Sequence, residues 1–273
     1  MTSFVSWLGA DSRGPTSVYF ASDSRISWGN DPRAWDTGRK LFACRESPEI
    51  FGFTGYVLLP QSILTRASDF IDRRIWPSLA SSSPVARAAT LAEITRTELI
   101  SHVQPIADDF SLFYAARTGE GMPDRCSFHL FQIHCRAVSR EVTVNQVSIP
   151  TVSSVLRTHG TGAESIDHWA ARWHASDQGG TSRAIFSAFC DSLRSGQDHR
   201  SGGEPQLIGL YRHKNAQVFG VVTERGASFE GILGVHVPRQ AGIEWRDEGF
   251  QRVNPDGSRL RSAQPHTRPD QLR

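Results

Sequence analysis

The stretch Ile50-Phe51-Gly52-Phe53-Thr54-Gly55-Tyr56-Val57-Leu58-Leu59 is where this chain changes period. Its first part is a short apolar run of strand length, and Gly55 punctuates the end of it. From Val57 to about Trp76 the apolar residues Leu59, Ile63, Ala67, Phe70 and Ile71 recur at helical spacing. Ser83-Pro84 then opens a second helix reaching about Val103, since proline suits the first helical position. Upstream, Phe4–Leu8, Val18–Ser24, Lys40–Cys44 and Ile50–Phe53 read as strands separated by segments rich in Gly, Pro, Asp and Ser. Four strands followed by two helices predict a helical layer laid over a sheet.

The same alternation repeats downstream. Strand-like runs at Phe110–Ala116, Phe128–His134, Thr143–Ser148 and Val155–His159 precede helices at roughly Ala163–His174 and Thr181–Arg194, and final strands fall at Gln206–Tyr211 and Gln217–Val222. Blocks of strands and paired helices predict an α+β design with two packed sheets and helices outside, rather than a parallel βαβ fold. At 273 residues and 38% hydrophobic content the chain can bury a full core. The expected division is one domain over residues 1–242 and a polar tail over 243–273, flexible or peripherally docked, with Trp245 and Phe250 as its large apolar anchors.

Composition narrows the function. No stretch approaches the ~18 apolar residues of a membrane span, and the N-terminus lacks the basic-then-apolar pattern of a secretory signal. Cys44, Cys126, Cys135 and Cys190 show neither metal-type spacing nor disulfide density, which predicts a reducing cytoplasm. A net charge of +2 is too small to argue for nucleic acid or an anionic membrane as partner. Of 30 basic residues only Lys40 and Lys214 are lysines. Arginine stays protonated in proteins, whereas a buried lysine is tunable, so Lys40 is a candidate functional ammonium. Lys214, in Arg212-His213-Lys214-Asn215, reads as part of a solvated turn between two strands.

Thr2 is the second candidate. A small side chain there favours removal of Met1, leaving a hydroxyl beside a free α-amine that titrates at about 7.7–8.0 and can serve as its general base.

Several short motifs then occur in a telling order. Ser22-Asp23-Ser24-Arg25-Ile26-Ser27 resembles the Asp-Thr-Arg-x-Thr stretch near the front of proteasome β subunits and the bacterial HslV peptidase. Lys40 falls where their catalytic lysine falls, and Gly52-Phe53-Thr54-Gly55 where their oxyanion-hole glycine turn falls. Gly160-Thr161-Gly162 stands for Gly-Ser-Gly before the third helix, and Asp198-His199-Arg200-Ser201-Gly202-Gly203 reproduces Asp-x-x-Ser-Gly-Gly. The chain thus resembles a proteasome-type N-terminal nucleophile hydrolase over about Thr2 to Val222. Its departures are a loop from Gly9 to Ser17 that lengthens the first hairpin, threonine in place of serine at Thr161, and the tail.

The resemblance implies a four-layer αββα sandwich and a threonine peptidase. In it Thr2 attacks, Asp23 holds Lys40, the N–H of Gly55 receives the oxyanion, and Thr161, Asp198 and Ser201 orient the α-amine. An extended peptide would pair with backbone at Ser27 and Gly55, and Ile26, Phe53 and Val57 would shape an apolar pocket. Neither metal nor cofactor is implied. A homo-oligomeric ring would hide the nucleophile, and a separate ATP-dependent unfoldase would feed unfolded protein, since the chain has no phosphate-binding Gly-x-x-x-x-Gly-Lys-Ser/Thr motif of its own. Two other readings stand beside it: a catalytically silent ring subunit, and an N-terminal nucleophile amidase acting on a small acylated molecule.

Overall fold

The computed structural model describes residues 2–28, 33–75, 83–103, 106, 108–238 and 242–272. Met1, and Trp76 at the expected end of the first helix, lie outside them. The fold is α+β, with four α-helices and two large sheets among the described residues.

Strand β1 (Phe4–Asp11) and strand β2 (Gly14–Ser22) form an antiparallel hairpin whose side chains alternate between two buried faces. Phe4, Leu8, Val18 and Phe20 face one core, while Val5, Trp7, Tyr19 and Ala21 face another. This is the period-two logic of a strand buried on both sides. The expected Gly9–Ser17 loop is absent: the strands run on to a tight turn, with a register shift between Gly9 and Ala10. Arg212 explains the extension. Its guanidinium pairs with Asp11 and donates to the carbonyls of Gly14 and Pro15, so the hairpin tip is tied down rather than looped out.

After a two-stranded ribbon of β3 (Ile26–Ser27) and β4 (Ala34–Trp35), the chain builds a second sheet. It begins with β5 (Leu41–Ala43) and β6 (Glu49–Gly55). Helices α1 (Leu58–Asp72) and α2 (Pro84–Ser101) follow, and then β7 (Phe110–Gly119), β8 (Cys126–Arg136) and β9 (Glu141–Val147). The order β5-β6-β7-β8-β9 is antiparallel throughout. Ser83 caps α2 through Ala86 N–H, with Pro84 at its first position. Leu59, Ile63, Leu64 and Ala67 of α1, with Ala88, Leu91, Ala92 and Leu99 of α2, bury one face of this sheet. The other face, through Leu41, Ile50, Phe113 and Leu130, packs against Phe4, Leu8 and Phe20.

Strand β10 (Ser154–His159) returns to pair with β1. Helices α3 (Ala163–His174) and α4 (Ser182–Ser195) then place Ile166, Ile185, Phe186 and Phe189 on Val5, Trp7 and Tyr19. Thr181 caps α4 by accepting from Ala184 N–H, and Gly196 ends it in the left-handed conformation that glycine adopts freely. Strands β11 (Gln206–Tyr211), β12 (Gln217–Thr223), β13 (Gly226–Phe229) and β14 (Ile232–Leu233) complete the path β10-β1-β2-β11-β12-β13-β14.

The tail is docked. Strand β15 (Trp245–Asp247) runs parallel to β12 and pairs with β16 (Arg252–Val253), extending the sheet to nine strands. Trp245 and Phe250 are buried, as is Leu272, and Arg268 clamps the tail to helix α4 through a bidentate pair with buried Asp191. No helix among the described residues is long and apolar enough to cross a membrane.

Candidate active site

The ends of six elements converge. The start of β1 lies between the end of β2 and the end of β10, because Phe4 pairs with both Ser22 and His159. The start of β11 lies on the other side of β2, Gln206 opposite Ser22. The start of β5 and the end of β6 face them across the core between the sheets. Thr2, Asp23, Lys40, Gly55, Thr161 and Ser201 all sit in segments leading into or out of this one end.

Asp23 is the hub. Its Oδ1 accepts from the Lys40 ammonium at 2.7 Å and from Ser3 N–H at 3.0 Å, and its Oδ2 accepts from Gly202 N–H at 3.0 Å and Arg25 N–H at 3.1 Å. Both side chains of the ion pair are fully buried. Burial of a charged pair is tolerated only where remaining lone pairs are satisfied, and four donors on one carboxylate meet that condition. Burial pulls the Lys40 ammonium below the ordinary lysine value, and the Asp23 charge and hydrogen bond oppose that shift.

Thr2 is fully buried and is tied to this hub through its neighbour. Ser3 N–H donates to Asp23, and the Ser3 carbonyl accepts from Asp23 N–H. On its other side the Thr2 carbonyl accepts from Gly162 N–H at 3.3 Å. Glycine is required there by close approach: at Gly160, φ +93°, a methyl would sit 1.9 Å from the Thr2 oxygen, and at Gly162 one would sit 1.8 Å from Ser3 Oγ.

Thr161, held between those two glycines, donates its hydroxyl to Asp198 Oδ2 at 2.6 Å, and Ser201 donates to the same oxygen at 2.7 Å. Burial pushes the Asp198 carboxyl up, but these hydroxyls and the Arg200 N–H outweigh it and leave the group below its ordinary value. A groove of about 480 Å³ opens beside this loop, lined by Arg25, Asp198, His199, Ser201 and Gly202 among others.

Gly55 has φ +89°, and a methyl there would meet the Asp109 carbonyl at 2.2 Å, so no other residue fits the turn. Its neighbour Thr54 hydrogen-bonds His159 Nδ1 at 2.8 Å, which links the end of β6 to the segment that lies on Thr2. Ser27 lies half-buried on the ribbon, and Val57 is half-buried at the start of α1. Ile26 and Phe53 are placed differently from expectation. Phe53 is fully buried in the core beneath α1 and α2, and Ile26 is buried against Gly38, so both face packed interior rather than an open pocket.

Three contributors were not among the expected site residues. Ser3 bridges Thr2 to Asp23. Gln206, buried at the first position of β11, contacts the segments carrying both Asp23 and Lys40. Asp36 holds Arg25 bidentately at 2.7 and 2.9 Å, while Arg25 also donates to the His199 carbonyl, pinning the Asp198 loop. Arg25 itself lies inside a quoted motif; Ser3, Asp36 and Gln206 are ordinary polar residues whose partners are distant in sequence.

No family model matches the chain, and no curated protein matches it in sequence.

Proposed function

We propose that this chain is a proteasome-type N-terminal nucleophile hydrolase with a four-layer αββα architecture, acting as a threonine peptidase through Thr2 once Met1 is removed. The observation that carries the reading is the fully buried Lys40–Asp23 pair, bound through Ser3 to the residue that follows Met1. A fully buried ion pair hydrogen-bonded to the backbone next to Thr2 has a chemical use that packing alone does not require.

In the reaction, Thr2 Oγ attacks the peptide carbonyl and its proton passes to the Thr2 α-amine, directly or through a water. Lys40 stabilises the alkoxide as it develops. The Gly55 N–H receives the oxyanion, a contribution of roughly 2.7–4 kcal/mol for such a donor. The amine proton goes to the departing peptide nitrogen, and water then hydrolyses the acyl ester. Thr161, Asp198 and Ser201 set the orientation and protonation of the α-amine.

The substrate would be an extended peptide or unfolded protein, paired by strand addition along Ser27 and Gly55. Assembly into a ring, fed by a separate ATP-dependent unfoldase, follows from the same reading. The presence of the ammonium, its carboxylate and both hydroxyls on Asp198 weighs against a silent scaffold. Fluorogenic peptides test it: hydrolysis is expected to disappear in Thr2→Ala and to be blocked by a peptide boronate. Hydrolysis unaffected by both would overturn the reading, and hydrolysis confined to small acylated amides would redirect it to an amidase.

A further inference from the structure

The Asp23 and Lys40 segments come from different parts of the chain, and one buried carboxamide touches both. Gln206 Oε1 accepts from Lys40 N–H at 3.0 Å and from Leu41 N–H at 3.4 Å. Its Nε2 donates to the Gly38 carbonyl at 2.7 Å, to Ser24 Oγ at 3.1 Å and to the Asp23 carbonyl at 3.4 Å. The side chain is 3% exposed, and Gly231 leaves room for it, since a methyl there would approach Nε2 to 3.2 Å.

We propose that Gln206 is a positioning residue, fixing the backbone on both sides of the Lys40–Asp23 ion pair and so setting where the ammonium is presented. The inference rests on the reading of Thr2 as nucleophile. An amide meets the geometry without having to be protonated, because one end must accept from two N–H groups while the other donates to a carbonyl. A lysine has four flexible carbons between its backbone and its charge, so the Asp23 contact alone does not fix the backbone from which Lys40 projects. Lys40 and Asp23 flank this amide through their backbone groups, Glu204 and the Arg39–Glu230 pair lie in adjoining segments, and Asp198 and Asp36 also act on the Lys40 ammonium.

Two variants of the full chain test the proposal. Gln206→Met keeps the length of the side chain and removes both polar ends; its kcat on a fluorogenic peptide should fall by about tenfold or more with KM little changed, the signature of an interaction expressed in the transition state. Gln206→Glu reproduces the amide pattern only while its carboxyl is protonated, when the O–H can donate to Gly38 and the other oxygen accept from Lys40 N–H. Its kcat relative to wild type should therefore be highest at low pH and fall as pH rises, whereas the ratio for Gln206→Met should stay flat. A merely structural role would lower the melting temperature without that difference between the two pH profiles.

A second readout does not need activity. With Lys40 and Lys214 the only lysines, a ¹³C-lysine NMR titration has two side-chain signals, and that of Lys40 should shift in both variants while that of Lys214 stays. Wild-type kcat in both variants, or an unmoved Lys40 signal, would overturn the proposal. Absence of hydrolysis by the wild type together with a shifted Lys40 signal would instead remove the peptidase reading and leave the positioning intact. Should neither variant fold, the Gln206 side-chain amide protons of the wild type decide, slow exchange with solvent being expected and rapid exchange contradicting the contacts.

Discussion

Lys40 is fully buried, and the Asp23 carboxylate compensates its charge. Removing it should be costly twice over. Lys40→Met is expected to abolish hydrolysis and to destabilise the fold by about 3 kcal/mol, the low end for breaking a buried pair, because Asp23 keeps three backbone donors. Lys40→Arg should not restore activity, since a planar fork does not fit a site built around a compact ammonium. Kinetics and urea denaturation of the two variants check this. Asp198 gives a pH signature. Its folded-state value lies below the ordinary one of 3.8, so its contribution to stability is complete above that value and is lost as pH falls through the folded value. Asp198→Asn should therefore lose less melting temperature between neutral pH and pH about 3 than the wild type does.

At the scale of elements, the strands and helices of the two sheets were legible because each has its own period. The helices α3 and α4 and the strand β11 fall where their apolar spacing places them. The strands of the tail were not legible, since its burial depends on single anchors, Trp245 and Phe250, rather than on a repeat. Gly220 is the clearest case: a methyl there would sit 2.2 Å from the Trp245 ring, so the indole of β15 lies flat on a glycine of β12. Nothing in the spacing of Gly220 and Trp245 announces that contact. Gly220→Ala is expected to displace β15, costing about 1–3 kcal/mol as overpacking does, and to expose residues 245–253 to protease while the rest stays resistant. Limited proteolysis with mass analysis of the fragments checks it. The site shows the same divide. Asp23, Lys40, Thr161, Asp198 and Ser201 were proposed from motifs, whereas the contacts of Gln206 with the Asp23 and Lys40 segments are ones that only the fold creates. Phe53 was misplaced because strand alternation gives two faces, and the face with an aromatic here is the core of α1 and α2.

For the whole molecule, the core shared by the two sheets brings one end of each together, and the groups proposed for catalysis lie in segments at that end. An exposed peptidase site would threaten other proteins of the cell, so the proposal includes assembly into a ring with the sites enclosed. Light scattering of the purified protein should give a particle mass of several subunits, and a folded protein should resist cleavage that short peptides undergo. Intact mass of the active protein decides whether residue 2 is the nucleophile. The expected mass is that of a chain beginning at Thr2; an active preparation in which every chain retains Met1 would rule Thr2 out as the nucleophile.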